Sequence, residues 1–173
     1  MRLFHRRREA LLFLGTALLV YLADQATKRW VAATLGATGG RATVPVVGDW
    51  LRLSYVTNTG AAFGLFPDQA LFFSLVAIVA VPLLVYLNRY VPPGQWLARL
   101  SLGLLLGGTL GNLTDRLRLG YVVDFIDAGI HHLRWPAFNL ADSAFVIGVA
   151  LLAWRILRTP EFDEGRRDRR SPA

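Results

Sequence analysis

The sequence predicts an all-α membrane protein with four transmembrane helices and a small extracytoplasmic β-hairpin or sheet. Of its 173 residues, 54% are apolar and 18% are charged, whereas about a quarter of the residues in soluble domains are charged. Long apolar runs recur along the chain, and basic residues gather at both of its ends. We therefore expect one integral membrane domain over residues 1–173, with a charged, disordered cytoplasmic tail at about residues 160–173.

Four segments approach the roughly 20 apolar helical residues that a bilayer core requires. The first is broken by a polar stretch and then resumes, the third is short and glycine-rich, and the fourth carries polar side chains in its first turns. The segments are residues 10–23 with 30–35, residues 70–87, residues 100–113 and residues 138–157. A cleaved secretory signal is a weaker reading of the first segment, because no small-x-small cleavage site follows it.

The distribution of basic residues predicts the orientation of these spans. Twelve of the 19 Lys and Arg residues lie before the first span, between the second and third spans, or at the end of the last span and beyond it. Because cytoplasmic segments are enriched in Lys and Arg, both termini are expected in the cytoplasm. The net charge of +7 is then explained by the membrane surface, and no nucleic-acid partner is expected.

The two outside loops contain β signals. Residues 44–47 and 50–56 flank Gly48-Asp49 and predict a hairpin with a two-residue turn. A second hairpin is expected from residues 121–126 and 130–135, with its turn at residues 127–129. Trp50 and Trp135 on the apolar face of such a sheet would suit the membrane–water interface.

Polar residues inside the spans need a reason, because a charge at the bilayer centre costs about 2.5–3.5 kcal/mol on insertion scales. Asp24 and Lys28 are spaced as a helical ion pair and either neutralise each other or support a site. Gly103, Gly107 and Gly111 predict close helix packing. The adjacent stripe consists of Gly108, Asn112 and Arg116, with Asp115 beside Arg116. Its amide and guanidinium groups could hold carbonyls or lipid phosphate, or Arg116 and Asp115 could anchor a loop.

Asp124 and Asp142 form the sharpest candidate pair. Asp124 lies within an apolar stretch, and Asp142 lies about one turn into the fourth span. A hairpin between them could bring the two carboxyls together, and two adjacent carboxyls share a proton. Such a pair suits hydrolysis of a peptide bond by an activated water. The alternative is two unrelated acids near helix ends, with Asp142 favouring a helix N-terminus.

Other chemistries have weaker support. The chain has no cysteine, which excludes disulfides, thiol catalysis and cysteine-ligated metal sites. His131-His132 is a weak metal signal, because neighbouring side chains on a strand point to opposite faces. Lys28 could pair with Ser54 or Ser143, but neither serine has a nucleophile-elbow context. We expect neither a metal nor a cofactor.

With these residues assembled, the sequence resembles the bacterial lipoprotein signal peptidases, the signal peptidase II family. Five blocks occur in the family's order: Asp24-Gln25-Ala26-Thr27-Lys28, Asn58-Thr59-Gly60-Ala61-Ala62-Phe63, residues 107–116, Val122-Val123-Asp124-Phe125 and Phe138-Asn139-Leu140-Ala141-Asp142. The resemblance implies a four-helix aspartic endopeptidase of the bacterial inner membrane, active near the extracytoplasmic face. It would cut the signal peptide from diacylglyceryl-modified prolipoproteins just before the lipidated cysteine.

The resemblance also implies roles for individual residues. Asp124 and Asp142 would be the catalytic dyad. The pocket would be lined by Asn58, Asn112, Arg116 and Asn139, and supported by Asp24, Lys28, Asp115 and Gly108. The expected partners are the prolipoprotein substrate and membrane lipid, and the protein is expected to be a monomer. The alternatives are a small transporter or proton-relay protein that uses the same acids, and a non-enzymatic assembly factor.

Overall fold

The computed structural model describes residues 2–39, 42–60 and 68–158, without the side chains of residues 2–7 and 38. This part of the chain contains four long helices and one four-stranded antiparallel sheet. The helices are α1 (Arg2–Thr34), α2 (Ala70–Tyr90), α3 (Trp96–Leu119) and α4 (Leu140–Leu157). The strands are β1 (Val44–Val47), β2 (Leu51–Asn58), β3 (Val122–Ile130) and β4 (Leu133–Arg134).

Helix α1 is continuous over 33 residues. The polar stretch that interrupts the apolar run therefore lies within the helix, and the predicted helical ion pair of Asp24 and Lys28 is confirmed. Asp24 and Lys28 are both buried within the helix, where they bond to other elements of the fold. Tertiary partners satisfy these polar groups, so the backbone has no need to leave the helix to hydrate them.

Helix α3 is the centre of the bundle, and α1, α2 and α4 all pack against it. Its glycines permit this packing. A Cβ at Gly103 would lie 2.8 Å from the Phe13 carbonyl oxygen, and one at Gly107 would lie 2.6 Å from that of Ala17, both on α1. Gly108 is in equally close contact with Ala141 on α4. The predicted close packing is confirmed, and it occurs between helices of the same chain.

Three helical segments of the described residues are long and apolar enough to cross a membrane: Arg8–Thr34, Ala70–Tyr90 and Leu140–Leu157. Their outer surfaces are rich in exposed large apolar side chains, such as Leu71 and Val79 on α2. Helix α3 does not meet the same criterion. It is enclosed by three other helices, so its glycines and polar residues face protein and it needs fewer apolar residues.

The sheet joins the two predicted hairpins through antiparallel pairing of β2 with β3, which gives the order β1-β2-β3-β4. The turn of the first hairpin covers residues 48–50, so it includes the predicted Gly48-Asp49 and is one residue longer than predicted, because Trp50 lies in the turn and not in β2. The turn of the second was predicted wrongly, because Ala128 and Gly129 remain in the ladder as partners of Leu51 and Arg134. The chain instead reverses at residues 131 and 132, where His131 has a φ of 50°.

A polar cluster around Arg99 lies at the end of the bundle opposite the sheet. The buried Arg99 of α3 donates to the carbonyls of Asn88 and Val91 at the end of α2. It also pairs with Glu9 of α1 at 3.3 Å. This cluster fixes the α2–α3 connection to α1.

Candidate active site

Asp124 and Asp142 line one cavity of about 510 Å³. Asp124 lies on β3 and is only 2% exposed, whereas Asp142 is half-buried in the first turn of α4. The chain between them forms the β3–β4 hairpin and returns along the cavity wall. The two acids that the sequence singled out are thus brought to the same site.

Two side-chain amides hold the Asp124 carboxylate. Asn58 Nδ2 donates to Oδ2 at 2.9 Å, and Asn139 Nδ2 donates to Oδ1 at 2.7 Å. Burial raises the pKa of Asp124 to about 7, and the charge of Asp142 acts in the same direction, while the two amide hydrogen bonds oppose the rise. Asp124 can therefore hold a proton at neutral pH.

A β-bulge brings Asn58 to the face of the sheet that carries Asp124. Leu53 pairs with Ile126 and Val56 pairs with Asp124, so β2 advances three residues while β3 advances two. In a regular strand Leu53 and Asn58 would point to opposite faces, because they are five residues apart. The Gly60 N–H donates to Asn58 Oδ1 at 3.0 Å, which leaves the NH₂ group to face Asp124.

Asn139 and Asp142 define the beginning of α4. The Asp142 N–H donates to Asn139 Oδ1 at 2.9 Å, and the Asn139 N–H donates to Asp142 Oδ2 at 3.2 Å. This reciprocal capping satisfies two backbone donors at the helix N-terminus. It also fixes the Asn139 amide so that its NH₂ group reaches Asp124.

Asn112 of α3 connects the two carboxyls. Its Nδ2 donates to Asp142 Oδ1 at 2.7 Å. Its Oδ1 accepts from Asn139 Nδ2 at 3.1 Å and from Lys28 Nζ at 2.8 Å. A continuous hydrogen-bonded path therefore runs from Asp142 through two amides to Asp124.

A buried ion cluster lies beneath this path. Lys28 Nζ is 2.9 Å from both Asp24 Oδ2 and Asp115 Oδ2. Asp24 Oδ1 accepts from the Ala141 N–H at 3.0 Å, and Asp115 Oδ2 accepts from the Val123 N–H at 3.3 Å. The cluster thus ties α1 and α3 to the start of α4 and to the residue before Asp124.

Gln25 has a role in the site that was not predicted from the sequence. Its Nε2 donates to Asp115 Oδ1 at 2.9 Å and to the Gly111 carbonyl at 3.3 Å, and so orients the carboxylate that pairs with Lys28. Gln25 is three residues before Lys28, on the same helical face. That spacing was the signal available in the sequence.

Arg116 lies on the cavity wall and donates to the Gly60 carbonyl at 3.4 Å. Its guanidinium carbon is 5.5 Å from the centre of the Phe73 ring. Its Nε is buried without a hydrogen-bond partner, and its charge acts on both dyad carboxyls. Gly108 is not among the cavity-lining residues and instead allows α4 to pack closely against α3.

The remaining wall of the cavity is apolar. It is formed by the segment that enters α4 and by one side of that helix: Trp135, Pro136, Ala137, Phe138, Phe145, Val146 and Ile147. Phe145, Val146 and Ile147 are also exposed on the outer surface of α4. The cavity therefore places two carboxyls and the amides of Asn58 and Asn112 beside an apolar surface, whereas Asn139, which was expected to line the pocket, is fully buried behind its wall.

Two weaker sequence signals do not form sites. Among the residues whose side chains the structure describes, no group of three or more His, Asp or Glu could hold a metal. Lys28 does not reach a serine, since the Ser54 hydroxyl has no partner and the Ser143 hydroxyl donates to the Asn139 carbonyl. The motif residues Ala61, Ala62 and Phe63 lie outside the described residues.

Comparisons with known proteins agree with this geometry. A family model described as signal peptidase (SPase) II matches residues 16–158. The lipoprotein signal peptidase of Moorella thermoacetica is 46% identical over 154 residues, covering 89% of this chain and 97% of the relative. That of Syntrophomonas wolfei is 41% identical over 159 residues, covering 92% of this chain and 98% of the relative.

A solved structure has the same fold. It is described as a bacterial membrane enzyme determined by the in meso method at 2.3 Å resolution, and it superposes with a TM-score of 0.73 at 32% identity. The match covers 83% of this chain and 85% of that one. From the family model, the relatives and the shared fold it follows that this chain is an integral membrane protein that belongs to the signal peptidase II family.

Proposed function

We propose that this protein is an aspartic endopeptidase that removes the signal peptide from diacylglyceryl-modified prolipoproteins, with Asp124 and Asp142 activating the attacking water. The family and its lipoprotein signal peptidase relatives support the activity. The observation that carries the dyad is that both carboxyls line one cavity and are joined by the Asn112 and Asn139 amides. The transporter alternative is not favoured, because the acids gather at one end of the bundle, with Asp124 and Asp142 on the cavity wall and Asp24 and Asp115 in the ion cluster beneath it.

The two acids have different environments, which suits them to different roles. Asp142 lies at the positive end of the α4 dipole and is less buried than Asp124, so we assign it the negative charge. Asp124, with its pKa raised to about 7, holds the proton. Neighbouring carboxyls with unequal environments divide acid and base roles in this way.

Hydrolysis then proceeds through a tetrahedral intermediate. Asp142 takes a proton from a water molecule, whose oxygen bonds to the scissile carbonyl carbon, while Asp124 gives its proton to the carbonyl oxygen. The carbon–nitrogen bond breaks as the nitrogen takes the proton from Asp142 and the new hydroxyl returns one to Asp124. The Arg116 guanidinium supplies positive charge beside the developing oxyanion.

The apolar wall of the cavity suits a lipidated substrate. Phe145, Val146 and Ile147 connect the cavity with the exposed surface of α4, so acyl chains could remain in the bilayer while the scissile bond reaches the dyad. This route admits the substrate sideways between lipid and α4.

In the proposed arrangement α3 crosses the membrane in addition to α1, α2 and α4, which gives four spans. Both termini then lie in the cytoplasm. The sheet and the cavity then lie at the extracytoplasmic face of the inner membrane. Trp50 and Trp135 are largely exposed, as expected for aromatic side chains at a membrane–water interface. The close-packing glycines of α3 are already engaged within the chain, which supports a monomer.

The test is cleavage of a diacylglyceryl-modified prolipoprotein by the purified protein in detergent, read as a shift on a gel. Wild type, Asp124→Asn and Asp142→Asn are compared, each with and without a chelator. We expect cleavage by wild type alone, unaffected by chelation. If folded wild type leaves intact a substrate that a known lipoprotein signal peptidase cuts, the assignment is wrong.

A further inference from the structure

Lys28 makes one more contact than charge neutralisation requires. Its ammonium group is 3% exposed and pairs with Asp24 and Asp115. These two carboxylates more than balance its single positive charge. Its third hydrogen bond goes to the Asn112 side-chain carbonyl at 2.8 Å. The ion cluster is thereby connected to a residue that contacts the dyad.

This third bond acts together with the bond from Asn139 to fix which way the Asn112 amide faces. Its carbonyl oxygen accepts from both Lys28 and Asn139, and its NH₂ group donates to Asp142. A flipped amide would turn its NH₂ group towards two other donors and its carbonyl oxygen towards a carboxylate. Both changes are unfavourable, because each would oppose groups of like polarity.

We propose that Lys28 is a positioning residue for peptide hydrolysis, which holds the Asn112 carbonyl and thereby aims the Asn112 NH₂ group at Asp142. Lys28 lies on α1 and acts on a carboxyl of α4 through one intervening side chain of α3. This role rests on the proposed function, since it specifies how the dyad is kept ready. It adds an orienting task to the structural task of the ion cluster.

The charged groups around Asp142 determine how the loss of the Lys28–Asn112 hydrogen bond would change the pH dependence of kcat. They are Asp124 on β3, Arg116 and Asp115 on α3, and Lys28 and Asp24 on α1. Once Asn112 can rotate, the ionised dyad loses one N–H donor. Protonation of the dyad then becomes more favourable, and the acidic limb of the plot of kcat against pH moves to higher pH.

The experiment uses a matched pair of triple variants. Lys28→Met alone would leave two buried carboxylates without a cation, which is strongly destabilising. Asp24→Asn/Lys28→Met/Asp115→Asn removes all three charges together. Asp24→Asn/Lys28→Gln/Asp115→Asn has the same charges and similar side-chain size, but the glutamine amide retains a donor for Asn112. Arg99→Met is the control, because it breaks a buried ion pair far from the cavity.

We expect the methionine variant to lose about 100-fold in kcat, the typical effect of removing one donor in an active site. KM should stay within about twofold. The glutamine variant should recover most of kcat, and because the two variants have the same charges, the acidic limb of the methionine variant should lie at higher pH than that of the glutamine variant. Arg99→Met should lower the melting temperature and leave the profile unchanged.

Two outcomes would overturn the inference. One is a methionine variant with the kcat and pH profile of wild type. The other is equal impairment of both triple variants, which would assign Lys28 a purely electrostatic or structural role. Wild type serves to separate this inference from the proposed function. If wild type cleaves no prolipoprotein, the proposed function fails, whereas cleavage by wild type with either of these outcomes rejects only the positioning role.

Discussion

Asn139 and Asp142 cap each other: the Asn139 side chain accepts from the Asp142 N–H at 2.9 Å, and the Asp142 carboxylate accepts from the Asn139 N–H at 3.2 Å. The same Asn139 amide donates to Asp124 at 2.7 Å. The start of a helix and the distance between two acids are therefore set by one side chain. Stability and activity at this position can be separated by substitution.

Asn139→Ser should preserve stability and abolish efficient cleavage. A serine hydroxyl can replace the cap, but it is too short to reach Asp124. Asn139→Ala loses both contacts and should cost about 1 kcal/mol of stability in addition. We expect at least a tenfold loss of kcat in both variants, and a lower melting temperature only for alanine. A serine variant with wild-type kcat would contradict the role of the amide.

The cleavage rate should fall as the pH rises through about 7, because Asp124, with its pKa near that value, then loses the proton it gives to the carbonyl. Asn58→Ala removes a donor that favours the ionised form, so its basic limb should move to higher pH. The measurement is kcat against pH. Ser54→Ala, on the same strand and with no partner for its hydroxyl, should match wild type. If the basic limb of kcat against pH does not move in Asn58→Ala, this would argue against Asp124 as the acid that protonates the carbonyl.

The stability of the folded protein should also depend on Asp124. Its pKa is raised on folding to about 7, so between about pH 4 and pH 7 the folded state keeps a proton that the unfolded chain has released. Stability therefore falls as the pH rises through this window. Asp124→Asn removes the ionisation and should raise the melting temperature at pH 8 relative to wild type. This increase in melting temperature should vanish at pH 4. An increase of equal size at pH 4 and pH 8 would show that ionisation of Asp124 is not its cause.

Gly108→Ala should disrupt the site without touching the cavity wall. Its Cβ would collide with the backbone of Ala141 and push away the helix that carries Asp142. We expect a loss of stability of about 1–3 kcal/mol, as for overpacking in general, and reduced kcat. Gly15→Ala is the matched control, because a Cβ there meets nothing within 4 Å. Helix propensity should make that variant neutral or slightly more stable. Equal melting temperatures for the two variants would refute the packing argument.

The absence of native cysteine allows a direct test of orientation with single-cysteine variants. His132→Cys lies at the exposed turn of the sheet, and Arg89→Cys lies at the end of α2 near the Arg99 cluster. A membrane-impermeant maleimide applied to intact spheroplasts should label the first variant only. Lysed cells, in which both should react, provide the control. Labelling of Arg89→Cys alone would reverse the proposed orientation.

Local patterns predicted the helices and the acids well, because apolar run length and isolated carboxyls are visible in the sequence. The helical pairing of Asp24 with Lys28 was predicted, but their tertiary partners were not, because these lie more than 80 positions away, such as Asn112. The bulge that reorients Asn58 was also missed. The alternation of Leu51, Leu53 and Tyr55 indicates a regular strand, and only pairing with β3 reveals the extra residue.

The site residues were predicted through a family resemblance, and the match to the signal peptidase II family confirms that resemblance. Their individual roles remain proposals. Spacing alone could not have predicted the orientation of the Asn112 and Asn139 amides, which each follow from several simultaneous donors and acceptors. Gln25 was overlooked for a related reason, since its value lies in its contact with Asp115 on another helix.

The bonds around the cavity follow an order along the chain that bears on biosynthesis. Asp24 and Lys28 emerge from the ribosome early as a pair, Asn112 and Asp115 join them next, and Asp142 comes in the last helix. Chains are completed from the N-terminus onwards, so until α4 is inserted the Asn112 amide has no carboxylate to hold and Asp124 stands without its partner. On the proposed dyad, we expect a prematurely terminated chain to be inert towards the other proteins of the membrane, because only a chain that contains α4 brings both acids together.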